Sequence, residues 1–383
     1  MDTVRLGVIG LGNMGTGHCR GLQAGKIPRA EVTAICDINA KAMEPYEGVK
    51  KYADSAELIR SGEVDAVLIA TPHYDHTTIG IDALEQGLHV LTEKPISVHK
   101  ADCERLIAAH KNKDQVFGVM FQMRTDPSFK KLKEVTDRGE LGTIQRTNWI
   151  ITTWFRSEAY YASGGWRATW RGEGGGVLLN QSPHTLDLFQ WICGMPSKVY
   201  AKCDLGRHHD IEVEDDVHAL FEYPNGARGV FVTGTGEAPG TNRLEIVGDR
   251  GQIVLEHGKI HFARTETPVP EYSKTTRNSF GTPGTWSIDI PVPPGPGGGS
   301  HEEVTKRFVD AILDGTPLVA GAEEGIHSVE LANAMLYSAF TGETVDIPLD
   351  GAVYEAKLME LIAASRFEKK VIEAEVDFEA SRM

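Results

Sequence analysis

The sequence has no long hydrophobic run, few cysteines and less positive than negative charge. No stretch approaches the roughly 18 consecutive apolar residues that a membrane-spanning helix needs, so no membrane span is predicted. The five cysteines are odd in number, scattered and never spaced C-x-x-C. This pattern argues against a disulfide framework or a zinc knuckle and suits a reducing compartment. The start MDTVRLGVIG carries no basic region and no cleavable apolar segment, so we expect a cytoplasmic protein.

The charge balance restricts the class of partner. The formal net charge is −15, which opposes binding to nucleic acid or to an anionic membrane surface. A small-molecule substrate is therefore expected. An anionic substrate stays possible, because a local group of arginines can outweigh the field of the whole protein.

The hydrophobic pattern divides the chain into two parts. Short apolar runs alternate with helical stretches as far as residues 121–127, and this predicts a parallel sheet with right-handed crossovers. Longer strand-like runs then follow one another, as expected of hairpins in a largely antiparallel sheet. We predict an α/β protein with a nucleotide-binding domain over residues 1–123. A second domain for substrate binding and oligomerisation is predicted over 124–383, with a C-terminal helix that can pack back on the first domain.

A glycine motif follows the first predicted strand directly and opens the first predicted helix. Gly10 permits a tight turn, Gly12 lets the backbone approach a pyrophosphate at the helix start, and Gly15 lets helix and strand pack closely. Asp37 ends the next strand, where it can accept hydrogen bonds from a ribose hydroxyl and repel a 2′-phosphate. We therefore predict an NAD site, with NAD preferred over NADP; a purely structural glycine turn is the alternative. The motif residues predicted to contact the cofactor are Gly10, Gly12, Asn13, Met14, Gly15 and Asp37.

Polar residues also end the third and fourth predicted strands. Ligands of open α/β sheets bind at the carboxyl ends of strands, which is where Glu93 and Lys94 lie, so both are predicted to contact the cofactor. A desolvated lysine has a lowered pKa and can move a proton, whereas an exposed lysine at the surface is the alternative. Thr71, Pro72 and His76 follow the third strand and are predicted to contact the cofactor, with a simple strand-to-helix turn equally compatible.

The segment GGGVLLNQSPHTLDLFQW places polar residues inside an apolar stretch. Asn180, His184 and Asp187 are four and three residues apart, which puts them on one stripe of a helix. Proline is tolerated only in the first turn of a helix, so Pro183 predicts a helix that starts near Asn180 or Ser182. Asn180 as a helix cap and His184 as a hydrogen-bonded core histidine are the alternative.

Aromatic residues and arginines are concentrated in the 18 residues before this segment, with three Trp, two Tyr and three Arg. Aromatic faces stack on sugar rings and guanidinium groups bind hydroxyls or anions, although a loop at an oligomer interface has the same composition.

His208 and His209 lack the spacing of a metal site, so we predict no metal and place their loop at the substrate mouth. The residues predicted to bind substrate are Gln122, Arg124, Trp154, Arg156, Tyr161, Trp166, Arg167, Asn180 and His184.

The motifs GLGNMG, ATPHYDH, TEKP and GGGVLLNQSPHTLD together resemble the Gfo/Idh/MocA oxidoreductase family over nearly the whole chain. The resemblance implies an N-terminal Rossmann domain and a C-terminal α/β domain built on an open, largely antiparallel sheet. It also implies NAD(P)-linked chemistry on sugars and cyclitols, and homodimers or homotetramers packed through the open sheet. By resemblance, Lys94 and His184 are catalytic residues. The family's usual aspartate is Asn180 here, and an amide cannot take up a proton.

Three functions follow as hypotheses. The first is an NAD-dependent dehydrogenase for a secondary ring hydroxyl of a sugar, glycoside or cyclitol, in which Lys94 or His184 removes the hydroxyl proton. The second is an NAD-dependent glycoside hydrolase that oxidises the ring transiently, eliminates the aglycone and adds water. The third is a non-catalytic sensor of NAD and sugar, which the presence of both Lys94 and His184 disfavours.

Overall fold

The computed structural model describes residues 2–372, so Met1 and residues 373–383, at the outer ends of the two predicted domains, lie outside the described residues. The described part of the chain forms one sheet of six strands and one sheet of nine. None of its helices is both long enough and apolar enough to cross a membrane.

The first sheet is parallel throughout, with the order β3-β2-β1-β4-β5-β6. Four of its strands, β1, β4, β5 and β6, are buried apolar runs, as expected when helices cover both faces, whereas the edge strand β3 is largely exposed. The predicted parallel sheet is confirmed, and the short β3 and α2 are additions that the apolar pattern did not indicate. The elements are β1 (Val4–Ile9), α1 (Asn13–Gln23), β2 (Ala30–Cys36), α2 (Ala40–Met43), β3 (Lys50–Tyr52), α3 (Ser55–Ile59), β4 (Ala66–Ile69), α4 (His73–Glu85), β5 (His89–Thr92), α5 (Lys100–Ala109) and β6 (Phe117–Val119).

The second sheet has the order β14-β13-β12-β11-β7-β10-β9-β8-β15 and is antiparallel except between β7 and β10. The predicted open, largely antiparallel sheet is confirmed. One face packs on two helices, Pro183–Cys193 and Ala322–Thr341, and the other is open to solvent in this chain. The strands are β7 (Ile144–Ile151), β8 (Lys198–Leu205), β9 (Glu214–Glu222), β10 (Arg228–Gly234), β11 (Asn242–Gly248), β12 (Gly251–Glu256), β13 (Lys259–Thr265), β14 (Thr285–Ile290) and β15 (Val345–Asp346).

Seven helices follow β6 in the described part of the chain. Helix α9 lies within residues 266–300, a stretch rich in Pro, Gly, Ser and Thr. It buries none of its residues, so no apolar periodicity marks it in the sequence. A 3-10 turn, Gln122–Thr125, joins the two sheets. The helices are α6 (Pro127–Asp137), α7 (Glu158–Ala162), α8 (Pro183–Cys193), α9 (Val269–Thr275), α10 (His301–Asp314), α11 (Ala322–Thr341) and α12 (Gly351–Ala364).

The C-terminal helices connect the two parts of the molecule. Phe308 of α10 packs with Leu6 and other residues of the parallel sheet. Helix α12 lies against α5, where Arg105 bridges to Glu355 at 2.7 Å. The polypeptide after residue 300 therefore contributes to the packing of both sheets and holds them in a fixed relation.

Candidate active site

A cavity of about 1790 Å³ lies between the carboxyl ends of the parallel strands and the second sheet. The glycine turn after β1 and the ends of β2, β4 and β5 form one side. The other side consists of the segment Thr153–Arg167 and the start of α8. The sheet topology explains the position, because parallel strands present their carboxyl ends at one edge.

The glycine turn has the backbone that each glycine was predicted to provide. Gly10 has φ of +90°, and a Cβ there would lie 2.7 Å from the backbone of Ala70. Gly12 would carry a Cβ into open space, so its backbone is accessible from the cavity. Gly15 does not line the cavity but lies beneath it, where a Cβ would collide with the carbonyl of Gly10.

The residues present fit a dinucleotide. Helix α1 begins at Asn13 with no side-chain cap, so its first amides face the cavity edge as donors for a pyrophosphate. Asp37 lines the cavity at the end of β2, where its carboxylate accepts hydrogen bonds from the amides of Leu11 (2.6 Å) and Asn39 (2.7 Å). A carboxylate in this place would accept hydrogen bonds from a ribose hydroxyl of a bound dinucleotide. Met14 also lines this half of the cavity.

Thr71, Pro72 and His76 line the same half, but their chemistry differs. The Thr71 hydroxyl is buried and has no hydrogen-bond partner among the described residues, as expected of a group aimed at a ligand. Both ring nitrogens of His76 instead face carbonyl oxygens, those of Pro95 (2.8 Å) and Thr71 (2.9 Å). His76 therefore ties the ends of β4 and β5 together.

Glu93 and Lys94 both line the cavity and have separate partners. The Glu93 carboxylate lies 2.8 Å from Nε2 of His18 on α1. Burial opposes ionisation of Glu93, but the hydrogen bond and charge of His18 lower its pKa to about 2. Lys94 donates from Nζ to the backbone carbonyl of Asn180 at 2.7 Å. Burial lowers the pKa of Lys94, while Glu93 and Glu173 oppose that shift.

His184 faces the cavity from the first turn of α8 and is 7% exposed. The side-chain amide of Gln122 donates to Nε2 of His184 at 3.0 Å. Burial and the nearby charge of Lys94 lower the pKa of His184 well below its ordinary value, so the imidazole is neutral. Gln122 thus lies in the cavity as predicted and orients His184.

Asn180 precedes α8, which begins at Pro183 after Ser182, so the predicted helical stripe of three polar residues is wrong. Asn180 still lines the cavity. Its Nδ2 donates to the carboxylate of Glu173, and its Oδ1 accepts from Tyr160 Oη at 3.1 Å and from Gln181 Nε2 at 3.0 Å. Glu173 was not anticipated, because no regular spacing links a residue before a glycine run to Asn180.

The aromatic and arginine residues form one wall of the cavity. The guanidinium carbon of Arg167 lies 4.7 Å from the Tyr160 ring centre and 4.6 Å from that of Trp166. That of Arg156 lies 5.1 Å from the Tyr160 ring centre. Neither arginine forms an ion pair with a carboxylate within the described residues. The residues of this wall are Trp154, Arg156, Tyr160, Trp166 and Arg167.

The structure places Tyr161 away from the cavity, which corrects the prediction of a substrate contact. Tyr161 is 3% exposed, and its hydroxyl lies 2.7 Å from that of Thr235 in the core. Its neighbour Tyr160 is the tyrosine that lines the cavity. On the short helix α7, adjacent residues point to different sides, and the sequence alone did not distinguish them.

Arg124 is also placed outside the cavity, so its predicted substrate contact is corrected. It is 3% exposed, and it donates to Asp187 on α8 at 2.6 and 2.7 Å and to Glu324 on α11. The third member of the predicted polar stripe, Asp187, is the buried partner of this arginine. A buried guanidinium needs carboxylate partners, and the two ion pairs of Arg124 hold α8 and α11 together.

His208 and His209 do not reach the cavity, contrary to the predicted loop at its mouth. His209 lies 2.9 Å from the Asp215 carboxylate and 2.8 Å from the carbonyl of Arg156. His209 therefore holds the backbone of Arg156, one of the residues that form the cavity wall. In the described chain, His99, Asp102 and Glu355 also lie within ligand distance of one another, but Arg105 binds both carboxylates, and we assign no metal there.

Comparison with known proteins agrees with this geometry. Residues 4–121 match the family model described as an oxidoreductase family with an NAD-binding Rossmann fold, and residues 129–254 match the GFO/IDH/MocA C-terminal domain. The chain is 30% identical over 266 residues to myo-inositol 2-dehydrogenase of Thermotoga maritima, covering 66% of this chain and 75% of that protein.

Solved structures share the fold over most of the chain. The WlbA dehydrogenase of Bordetella pertussis, in complex with NADH and UDP-GlcNAcA, has a TM-score of 0.77 at 25% identity, covering 91% of this chain and 99% of that one. Levoglucosan dehydrogenase in complex with NADH and L-sorbose has a TM-score of 0.76 at 22% identity, covering 91% and 100%. The second likeness concerns the fold alone. The chain belongs to the Gfo/Idh/MocA family and is an NAD-dependent oxidoreductase of that family.

Proposed function

We propose that the protein oxidises a secondary ring hydroxyl of a sugar, glycoside or cyclitol with NAD as the oxidant. The observation that carries the proposal is the position of Lys94 and His184 in one cavity, between the glycine turn and the aromatic wall. A relative that is named for its action on myo-inositol supports the substrate class.

The chain's own residues supply binding and proton transfer. The indole rings of Trp154 and Trp166 offer faces for a sugar ring, and the guanidinium groups of Arg156 and Arg167 donate to its hydroxyls. NAD, when bound, supplies the hydride acceptor. Holding both reactants in one cavity makes the reaction effectively unimolecular.

Lys94 is the group that we assign as the base for the hydroxyl proton. Its Nζ has one hydrogen-bond partner among the described residues, the carbonyl of Asn180, so it can also engage a substrate hydroxyl. Burial favours its neutral form, which is the form that accepts a proton. His184 is neutral and held by Gln122, which suits it to hydrogen-bond the same hydroxyl.

The experiment is an incubation of the purified protein with NAD and a panel of free sugars, inositols and chromogenic glycosides, neutral and anionic. NADH absorbance and aglycone release are followed together. Accumulation of NADH with one class of substrate supports the dehydrogenase. Aglycone release with no net NADH would replace it by the redox-assisted glycoside hydrolase, and binding without either product would indicate a sensor.

We further propose a cytoplasmic homodimer or homotetramer with its domain boundary between residues 123 and 124. The five cysteines are free thiols, which suits a reducing compartment. The open face of the second sheet exposes Ile150, Tyr200 and Leu220, at 39%, 47% and 56%. Apolar side chains in the middle of an uncovered sheet are typical of a subunit interface.

A further inference from the structure

The side-chain amide of Asn180 is held by three neighbours in one orientation. Its nitrogen donates to Glu173, and its oxygen accepts from Tyr160 and Gln181. The Tyr160 hydroxyl in turn accepts from Arg167 at 2.9 Å. Reversing the amide would place its nitrogen against two donors and its oxygen against a carboxylate, so the orientation is determined by the surrounding atoms.

Glu173 is a buried carboxylate without a direct ion pair within the described part of the chain. It is 1% exposed, and its second oxygen accepts from the amide of Ala168 at 2.6 Å. Burial raises the pKa of Glu173, and the charges of Arg167 and Lys94 oppose that rise. Burial of a carboxylate costs free energy of folding unless hydrogen bonds satisfy it, and those of Glu173 come from the Asn180 side chain and the Ala168 amide.

The same asparagine connects Glu173 to Lys94. Glu173 binds the Asn180 side chain, and Lys94 donates to the Asn180 backbone carbonyl at 2.7 Å. A negative charge on the far side of Asn180 stabilises the ammonium form of Lys94. The charged and titratable groups that influence Lys94 are Glu93, Arg156, Arg167, Glu173, His73 and His184.

We propose that Glu173 is a positioning residue for the oxidation: it holds the amide of Asn180 and, through Asn180, sets the position and protonation of Lys94. The carboxylate that acts on Lys94 through Asn180 therefore does not belong to residue 180. It belongs to Glu173, which binds the side chain of residue 180. The effect of Glu173 on the rate of oxidation rests on the proposed function. Its effect on the position and protonation of Lys94 does not, because it requires neither substrate nor cofactor.

The first test measures Lys94 without substrate or cofactor. The lysines are reductively methylated with ¹³C-formaldehyde and titrated by NMR, and Lys94 is identified by the signal that Lys94→Arg removes. In Glu173→Gln the apparent pKa of Lys94 is expected to fall by about one pH unit, since the ammonium loses a nearby negative charge. An unchanged titration would overturn the proposal.

The matched control is Glu214→Gln. Glu214 is a buried carboxylate beside the same glycine run, but it accepts from the amides of Gly176 (2.9 Å) and Leu178 (3.0 Å). Within the described residues, its carboxylate has no hydrogen bond to Asn180 or Lys94. Glu214→Gln is expected to leave the apparent pKa of Lys94 unchanged. An equal shift of that pKa in both variants would mean that the loss of any buried carboxylate in this region has the same effect.

The second test exchanges the two groups. Asn180→Asp sets two carboxylates against each other and is expected to lower kcat by about tenfold or more. The double variant Glu173→Gln/Asn180→Asp restores one donor and one acceptor, and is expected to recover kcat to within about threefold of wild type. If the kcat losses of the two single variants multiply in the double variant, the proposal is overturned. The double variant also provides the test if Glu173→Gln alone fails to fold.

If wild type oxidises no panel substrate, the proposed function fails, but the NMR titration still decides the role of Glu173.

Discussion

At the scale of single residues, the site combines groups whose ionisation is controlled by burial. Lys94 and His184 are both shifted toward their neutral forms, and Glu93 is held ionised by His18. Neutral nitrogen groups beside a reacting hydroxyl can accept a proton or a hydrogen bond near neutral pH.

Replacement of Lys94 by alanine is expected to lower kcat by about 10²–10⁴-fold, because the hydroxyl proton loses its acceptor. NADH binding, followed by fluorescence titration, is expected to change little. Lys202→Ala is the control, since that side chain is 74% exposed on the second sheet. A fully active Lys94→Ala enzyme would refute the assignment.

The pH profile of oxidation follows from the same lysine. Deprotonated Lys94 is the active base, so kcat/KM should rise with pH until Lys94 is neutral. Burial lowers its pKa from the ordinary 10.5, so the plateau should be reached below that pH. Steady-state assays from acid to alkaline pH test this; a rise that continues past the pKa of a free lysine would contradict it.

Asp37 gives a cofactor prediction at the same scale. Its carboxylate lines the cavity beside the glycine turn and would repel a 2′-phosphate. We expect wild type to bind NAD at least about tenfold more tightly than NADP, and Asp37→Ser to reduce that ratio. Parallel titrations with both cofactors measure the ratio. A tenfold preference for NADP in wild type would show that Asp37 does not select the cofactor.

At the scale of elements, helix α8 carries one face toward the cavity and another toward the core. His184 faces the cavity, while Asp187, one turn later, binds Arg124. The same ion pair joins α8 to the 3-10 turn that carries Gln122, so the partner of His184 is positioned by a buried charge network.

Arg124→Met is expected to destabilise the protein by about 3–5 kcal/mol, because Asp187 keeps a buried charge without its partner. Urea unfolding measures the loss. Arg171→Met makes the same chemical change at an exposed position and should cost little. If Arg124→Met is as stable as wild type but has a raised KM, Arg124 binds substrate, and the structural assignment is wrong.

At the scale of the whole molecule, the nine-stranded sheet buries one face and leaves the other open. Residues that alternate along β9 show this division, with Val217 and Ala219 buried and Leu220 exposed. Helices α8 and α11 cover the inner face, so the outer face is the surface that remains for another subunit.

Leu220→Glu is expected to shift the protein toward monomers, because it places a charge in the middle of the proposed interface. Light scattering coupled to size-exclusion chromatography gives the mass. Val353→Glu on α12 is the control, since Val353 is also partly exposed (39%) but lies away from the sheet. A monomeric wild type would disprove the oligomer.

The local sequence determined the features that depend on neighbours along the chain. Periodicity indicated both sheets, and the glycine spacing indicated the cofactor turn. Pro183 indicated a helix start near Asn180 or Ser182, and α8 begins just after the second of these. Tertiary structure decided which side chains reach the cavity. Tyr160 rather than Tyr161 lines it, Arg124 is taken by Asp187, and Glu173 meets Asn180 across an irregular turn. The physical reason is that burial and ion pairing depend on distances between elements, and such distances exist only once the chain has folded.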